Sequence, residues 1–235
     1  MEWYLVDSSH YLGLIGSFPF RTAHRGLMAF YRKQVCDDTI DATRRASLAV
    51  TLCKAEGLIR ASVQEENELG EQVIVQGAAE GLDHDKLWLL VRAGADIDAP
   101  SGTKGMNPLM ASAMSGRTST VRALAELGAN IDYENDEGET ALMYASGIGH
   151  AEVVKLLAEL NADVNHACER GTALFAASFL GHAETVRLLV HLKGDINALD
   201  SNGQTAATIA AEAGHIDVVA LLQESSLVSG HAEED

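Results

Sequence analysis

Basic side chains are scarce in this 235-residue chain: 17 Lys and Arg stand against 34 Asp and Glu, a formal net charge of −17 at neutral pH. Nucleic acid is therefore not expected as a partner, because phosphate recognition draws on clustered Lys and Arg. Cysteine is nearly absent too. Cys36, Cys53 and Cys168 are an odd number at wide spacing, which reads as reduced intracellular thiols and not as a disulfide framework. The chain lacks His-x3-His and Cys-x2-Cys spacings, so neither a metal nor a cofactor is expected. An unbroken apolar run is missing as well. The N-terminal stretch from Trp3 to Phe20 is interrupted by Asp7, Ser8, Ser9 and His10, and Glu2 and Asp7 stand where a signal peptide carries positive charge. Membrane insertion is not expected; the cytoplasm, with the nucleus as a second compartment, is the expected location.

At 47% hydrophobic and 22% charged residues the composition is globular. It divides in the sixties. Residues 1–67 carry 8 acidic and 8 basic side chains, so all of the −17 belongs to residues 68–235. Aromatics are skewed the other way, with Trp3, Tyr4, Tyr11, Phe18, Phe20, Phe30 and Tyr31 making seven of the twelve.

Past the boundary the sequence repeats. Gly149-His150, Gly181-His182 and Gly214-His215 are spaced 32 and 33 residues apart, with Gly116-Arg117 33 residues before the first. Asn107, Thr140, Thr172 and Thr205 recur in phase, as do Leu156-Leu157, Leu188-Leu189 and Leu221-Leu222. Units close on 94–98 (Gly-Ala-Asp-Ile-Asp), 128–132, 161–165 or 193–197. Thr or Asn before a small apolar run supplies a helix N-cap. Gly then permits the positive φ of a tight helix exit. Val153, Val154, Leu156 and Leu157 mark the buried face of a second helix. The Asp- and Asn-rich stretch that follows suits an extended turn or hairpin, so each unit reads as turn, helix, helix.

These motifs resemble the ankyrin repeat, whose signature combines Thr-Pro-Leu-His, Gly-His, Val-Val-x-Leu-Leu and Gly-Ala-Asp-Val-Asn. The resemblance implies an all-α solenoid of stacked helix-turn-helix units with β-hairpin or turn fingers, preceded by a helical N-terminal segment. Five units are assigned, at 68–99, 100–132, 133–165, 166–197 and 198–228, with residues 229–235 as an acidic tail. The first unit is the least typical, with its first helix expected over Gln72 to Ala79. Departures are visible: Pro survives only at Pro108, the His of that box is nowhere present, and the fourth unit lacks one residue between Asn165 and Leu174. That loss should shorten its turn. Residues 1–67 resemble no family. Thr22 to Gln34 and Asp38 to Gln64 suit helices, and the segment reads either as a cap on the first repeat or as a separate docking element.

Convergent chemistry is not apparent. His150, His182 and His215 share one phase, as repeat architecture produces, and Cys168 has no positioned base. The expected role is accordingly non-enzymatic. In the family resembled, partner proteins bind the concave face of turn tips and first helices, through positions that depart from consensus. Carried over, the partner-binding candidates are Met106, Met114, Asp136, Glu137, Glu139, Ile148, Glu169, Phe179, Leu180 and Gln204. Apolar Met114, Ile148, Phe179 and Leu180 read either as an interaction patch or as packing between repeats. The acids around them would form a rim that steers a basic or amphipathic protein partner. Asn165 and Asn197 resemble the motif on which such proteins are hydroxylated at asparagine, although a bond of each Asn within its own hairpin is sufficient to explain them and is the favoured reading. The expected function is an adaptor, scaffold or inhibitory subunit, monomeric on its own. The alternative is a regulatory segment of an enzyme or channel whose active domain is absent or lies in residues 1–67.

Overall fold

The computed structural model describes residues 69–92 and 95–230. The helical segment expected in residues 1–67, the closing Gly94 of the first unit and the tail 231–235 lie outside the described residues.

Each Asn or Thr expected as a cap starts a helix. Asn107, Thr140, Thr172 and Thr205 adopt extended backbone and accept the amide of the residue three further on, Met110, Met143, Phe175 or Thr208. One orphan donor per helix is thereby satisfied. The elements in order are α1 (Leu69–Glu80), α2 (His84–Arg92), α3 (Pro108–Met114), α4 (Thr118–Glu126), α5 (Ala141–Ile148), α6 (Ala151–Glu159), β1 (Ala167–Cys168), β2 (Gly171–Thr172), α7 (Ala173–Phe179), α8 (Ala183–His191), α9 (Ala206–Ala213) and α10 (Ile216–Gly230). Helix α1 begins ahead of the expected Gln72, and α10 runs past the expected unit end at 228 to Gly230.

The odd-numbered helices pack side by side as an inner row, α1 through α9. The even-numbered helices form an outer row behind them. Val121, Val154, Val186 and Val218 of the outer row meet Leu109, Leu142, Leu174 and Ala210 of the inner row in one core, all at 1% exposure or less. A core that runs unbroken through five helix pairs is what a solenoid requires, since one pair cannot bury its own apolar face. The result is an all-α repeat solenoid, with β1 and β2 the sole named strands among the described residues.

The turns between units are held by side chains. Asp98 accepts the amide of Asn130, Asp132 that of Asp163, and Asn165 that of Asp195, so the final Asp or Asn of each of the first three units bonds the next turn. Asn135 and Asp200 each accept two amides of their own loop, at 2.9 and 2.8 Å. Cys168 holds that phase in the fourth unit and cannot substitute for an Asx oxygen. There the one-residue deletion leaves a two-residue hairpin, with Ala167 paired to Thr172 and Cys168 to Gly171.

Two consequences for stability follow. At the exit of the outer helices, Gly128, Asn161 and Lys193 share a left-handed conformation, with φ of 94°, 65° and 66°. Lys has no relief there, so Lys193→Gly is expected to stabilise the array by about 1 kcal/mol; an unchanged urea midpoint would contradict this. Burial raises the Asp98 pKa from its ordinary value, despite the Asn130 amide that lowers it. Ionisation therefore costs stability as the pH climbs through that raised value. Asp98→Asn keeps an acceptor and removes the charge. Its melting temperature, relative to the parent chain, is expected to rise from about pH 3 to about pH 7; a constant difference would exclude the effect.

Candidate functional site

The inner helices expose two different ends. Their N-terminal ends carry the turn tips, and their C-terminal ends carry the apolar residues.

At the turn tips, polar side chains of three units are linked. Lys104 Nζ lies 3.0 Å from Glu137 Oε2, and Arg170 lies 3.6 Å from Glu137 and 3.5 Å from Glu139. Tyr144 donates its hydroxyl to Glu139 Oε2 at 2.7 Å, and Asn135 Nδ2 donates to both. Burial, followed by the hydrogen bond to Glu139, raises the Tyr144 phenol well above its usual range. Backbone joins in, since the amide of Asp136 donates to Lys104 O and that of Ser201 to Glu169 O. Two cations offset two carboxylates in this network. Exposed pairs of this kind contribute little individually, and their main effect here is to fix the turns relative to one another.

The expected acidic rim is thus corrected in two respects. Glu139 is only 13% exposed and serves the network, while Glu137 sits between two cations. Asp136 and Glu169 remain exposed, with no ion pair among the described residues. The rim also does not encircle the apolar residues: Thr140 and Ile148 bracket α5, about 12 Å apart along a helix. Exposed acids occur on the outer row too, at Glu126, Glu152, Glu159, Glu184 and Asp217. Much of the charge therefore lies away from the inner face, where it favours solubility.

At the other end, Met114, Ile148, Phe179 and Leu180 are 37%, 50%, 50% and 50% exposed. They close α3, α5 and α7 in register. Gly147 stands between them without a side chain, and a Cβ there would lie 3.9 Å from Leu180 Cδ1, so Leu180 extends across the seam between two units. Glu212 occupies the equivalent place in α9, where it accepts from Gln204 Nε2 at 2.9 Å. The sequence reading missed Ile216, which is 81% exposed. It follows His215, whose Nε2 lies 3.1 Å from Phe179 O, so it extends the apolar edge into the fifth unit. An Ile beside Ala151 and Ala183 of the same phase was the available signal.

This edge stands on a ladder of imidazoles. His150, His182 and His215 donate Nε2–H to Met114 O, Gly147 O and Phe179 O of the preceding unit at 3.1, 3.0 and 3.1 Å. The acceptors are carbonyls, so Nε2 carries the proton. Arg117 takes the same role in the second unit, from Nε to Ala79 O at 3.2 Å. These groups supply hydrogen bonding between repeats.

Other candidates fall elsewhere. Met106 packs against the core beside its backbone pairing with Ser101, and Gln204 is half-buried. The Asn165 side chain donates to Lys193 O and accepts from the Asp195 amide, so it bonds the next unit, while its backbone amide donates to Asp163 in its own turn. Asn197 is exposed, and among the described residues its side chain has no bond to a following turn. The Cys168 thiol is half-buried and donates to Gly171 O at 3.6 Å. Among the described residues no group of three His, Cys, Asp or Glu could hold a metal ion, and no helix is long and apolar enough to cross a membrane.

A family model described as ankyrin repeats (3 copies) matches residues 75–168 and again residues 161–230. No curated protein matches the chain.

Proposed function

Since the chain belongs to the ankyrin-repeat family, whose arrays mediate protein–protein interaction, we propose that it is a non-enzymatic adaptor, scaffold or inhibitory subunit that grips one partner through its inner-helix face. The observation that carries this reading is the apolar edge of Met114, Ile148, Phe179, Leu180 and Ile216. These side chains are half or more exposed save Met114, and they lie in register across successive units. Contiguity separates an interaction surface from the scattered apolar residues that every protein exposes. The partner is an amphipathic protein segment, with apolar anchors for this edge and a basic complement for Asp136, Glu169 and Glu212. A reducing compartment, the cytoplasm or nucleus, suits the free Cys168 thiol.

Affinity capture with the full chain tests the proposal. Proteins retained by the parent chain should be lost with Leu180→Asp and kept with Lys155→Asp on the outer row. Equal retention by both variants would refute it. As a modification site, Asn197 is proposed ahead of Asn165, which is held by two bonds. Peptide mass spectrometry after co-expression with an asparaginyl hydroxylase should find Asn197 the more modified; finding neither modified would remove the idea.

A further inference from the structure

We propose that residues 8–36 of this same chain occupy the apolar edge, so that an outside partner must displace them. This rests on the edge being the protein-binding surface. Three observations carry it. First, no Asp or Glu stands between Asp7 and Asp37, while Arg21, Arg25, Arg32 and Lys33 do, interleaved with Tyr11, Phe18, Phe20, Phe30 and Tyr31. The segment is basic and aromatic, whereas all of the −17 lies in residues 68–235.

Second, the edge is formed by the C-terminal ends of α3, α5 and α7, where the helix dipole places partial negative charge. Exposed Glu212 holds the phase of Phe179 in the next unit, with its carboxylate accepting from Gln204. Aromatic rings for the apolar edge and Arg or Lys for these helix ends are the chemistry that residues 8–36 supply.

Third, the chain reaches. Helix α1 is 12 residues long, or about 18 Å, and the step from α1 to α7 spans three neighbouring helices at about 8–10 Å each. The path from Leu69 to Phe179 is then on the order of 35 Å. Residues 37–68 cover about 100 Å if extended and about 48 Å if helical. Either suffices, and tethering raises the local concentration toward the millimolar range, so a weak contact is well populated.

Photocrosslinking in the full chain decides this. With p-benzoylphenylalanine in place of Phe179, residues 8–36 should be captured within the same chain about tenfold more than with the probe at Lys155, at a yield independent of protein concentration. Phe18→Ser, Phe20→Ser, Arg21→Glu and Arg25→Glu together should lower that yield about tenfold. Equal capture from both probe positions, crosslinks found only in covalent dimers, crosslinks to other residues, or none at all would each overturn the proposal. If the Leu180→Asp capture experiment nonetheless succeeds, only occupancy in cis is refuted and the binding surface stands.

Discussion

Gly149→Ala is expected to destabilise the array by about 2–4 kcal/mol, a large part of the stability of a domain. Gly149 caps α5 with φ of 86°, and a Cβ there would lie 2.7 Å from Nδ1 of His182. Left-handed backbone costs about 1–2 kcal/mol for an L side chain, and the collision adds roughly 1–2 kcal/mol. The ring cannot retreat freely, because its Nε2–H is bonded to Gly147 O at 3.0 Å. His182→Ala alone should cost about 1 kcal/mol for that bond. In the His182→Ala background the collision is gone, so Gly149→Ala should cost only the backbone term. Urea denaturation of the four proteins should therefore show a coupling of about 1–2 kcal/mol. Strict additivity would mean that Gly and His do not act as a pair.

Phe179→Ala and Leu180→Ala are expected to weaken partner binding about ten- to thirtyfold each, which corresponds to roughly 1.4–2 kcal/mol. Both side chains are half exposed, so the melting temperature should barely move. The loss should appear in the dissociation rate, as removal of a packed anchor does. Asp136→Lys and Glu169→Lys probe the other end of the inner helices. They should alter the association rate by about two- to threefold and reduce its salt dependence, because a charge beside the contact steers encounter without filling it. The rank order separates two mechanisms. If Asp136→Lys proves more damaging than Phe179→Ala, recognition is electrostatic and the apolar edge is incidental.

The repeating units were legible because the same physical demand recurs about every 33 residues. An N-cap oxygen at Asn107, Thr140, Thr172 and Thr205, a positive-φ Gly and an apolar stripe are local requirements, and each was read from its residue type. The shortened fourth turn was legible for the same reason, as a deletion against a fixed period. The partners of the histidines were not. His182 bonds a carbonyl 35 residues upstream, and that registry exists only once two units have stacked.

The candidate site divides along the same line. Met114, Ile148, Phe179 and Leu180 could be named from phase, since a large apolar residue at a solvent-facing position is conspicuous in a repeat. Whether they packed between units or faced outward was open, and the missing side chain of Gly147 beside Leu180 bears on it directly. For the acids, phase placed Asp136, Glu137 and Glu139 together on one turn. Their charge was assigned to a rim because sequence shows neither the Arg170 guanidinium one unit away nor the Tyr144 hydroxyl beneath.

By itself, then, the sequence determined the period, the helix pairs, the caps and the overall sign of the charge, all of which depend on neighbours within one unit. Only the tertiary structure decided which carboxylates are neutralised, which carbonyls the histidines close, and that the acids of the turn tips and the apolar residues stand at opposite ends of the inner helices. Those outcomes depend on distances between units, and stacking sets such distances where residue spacing cannot.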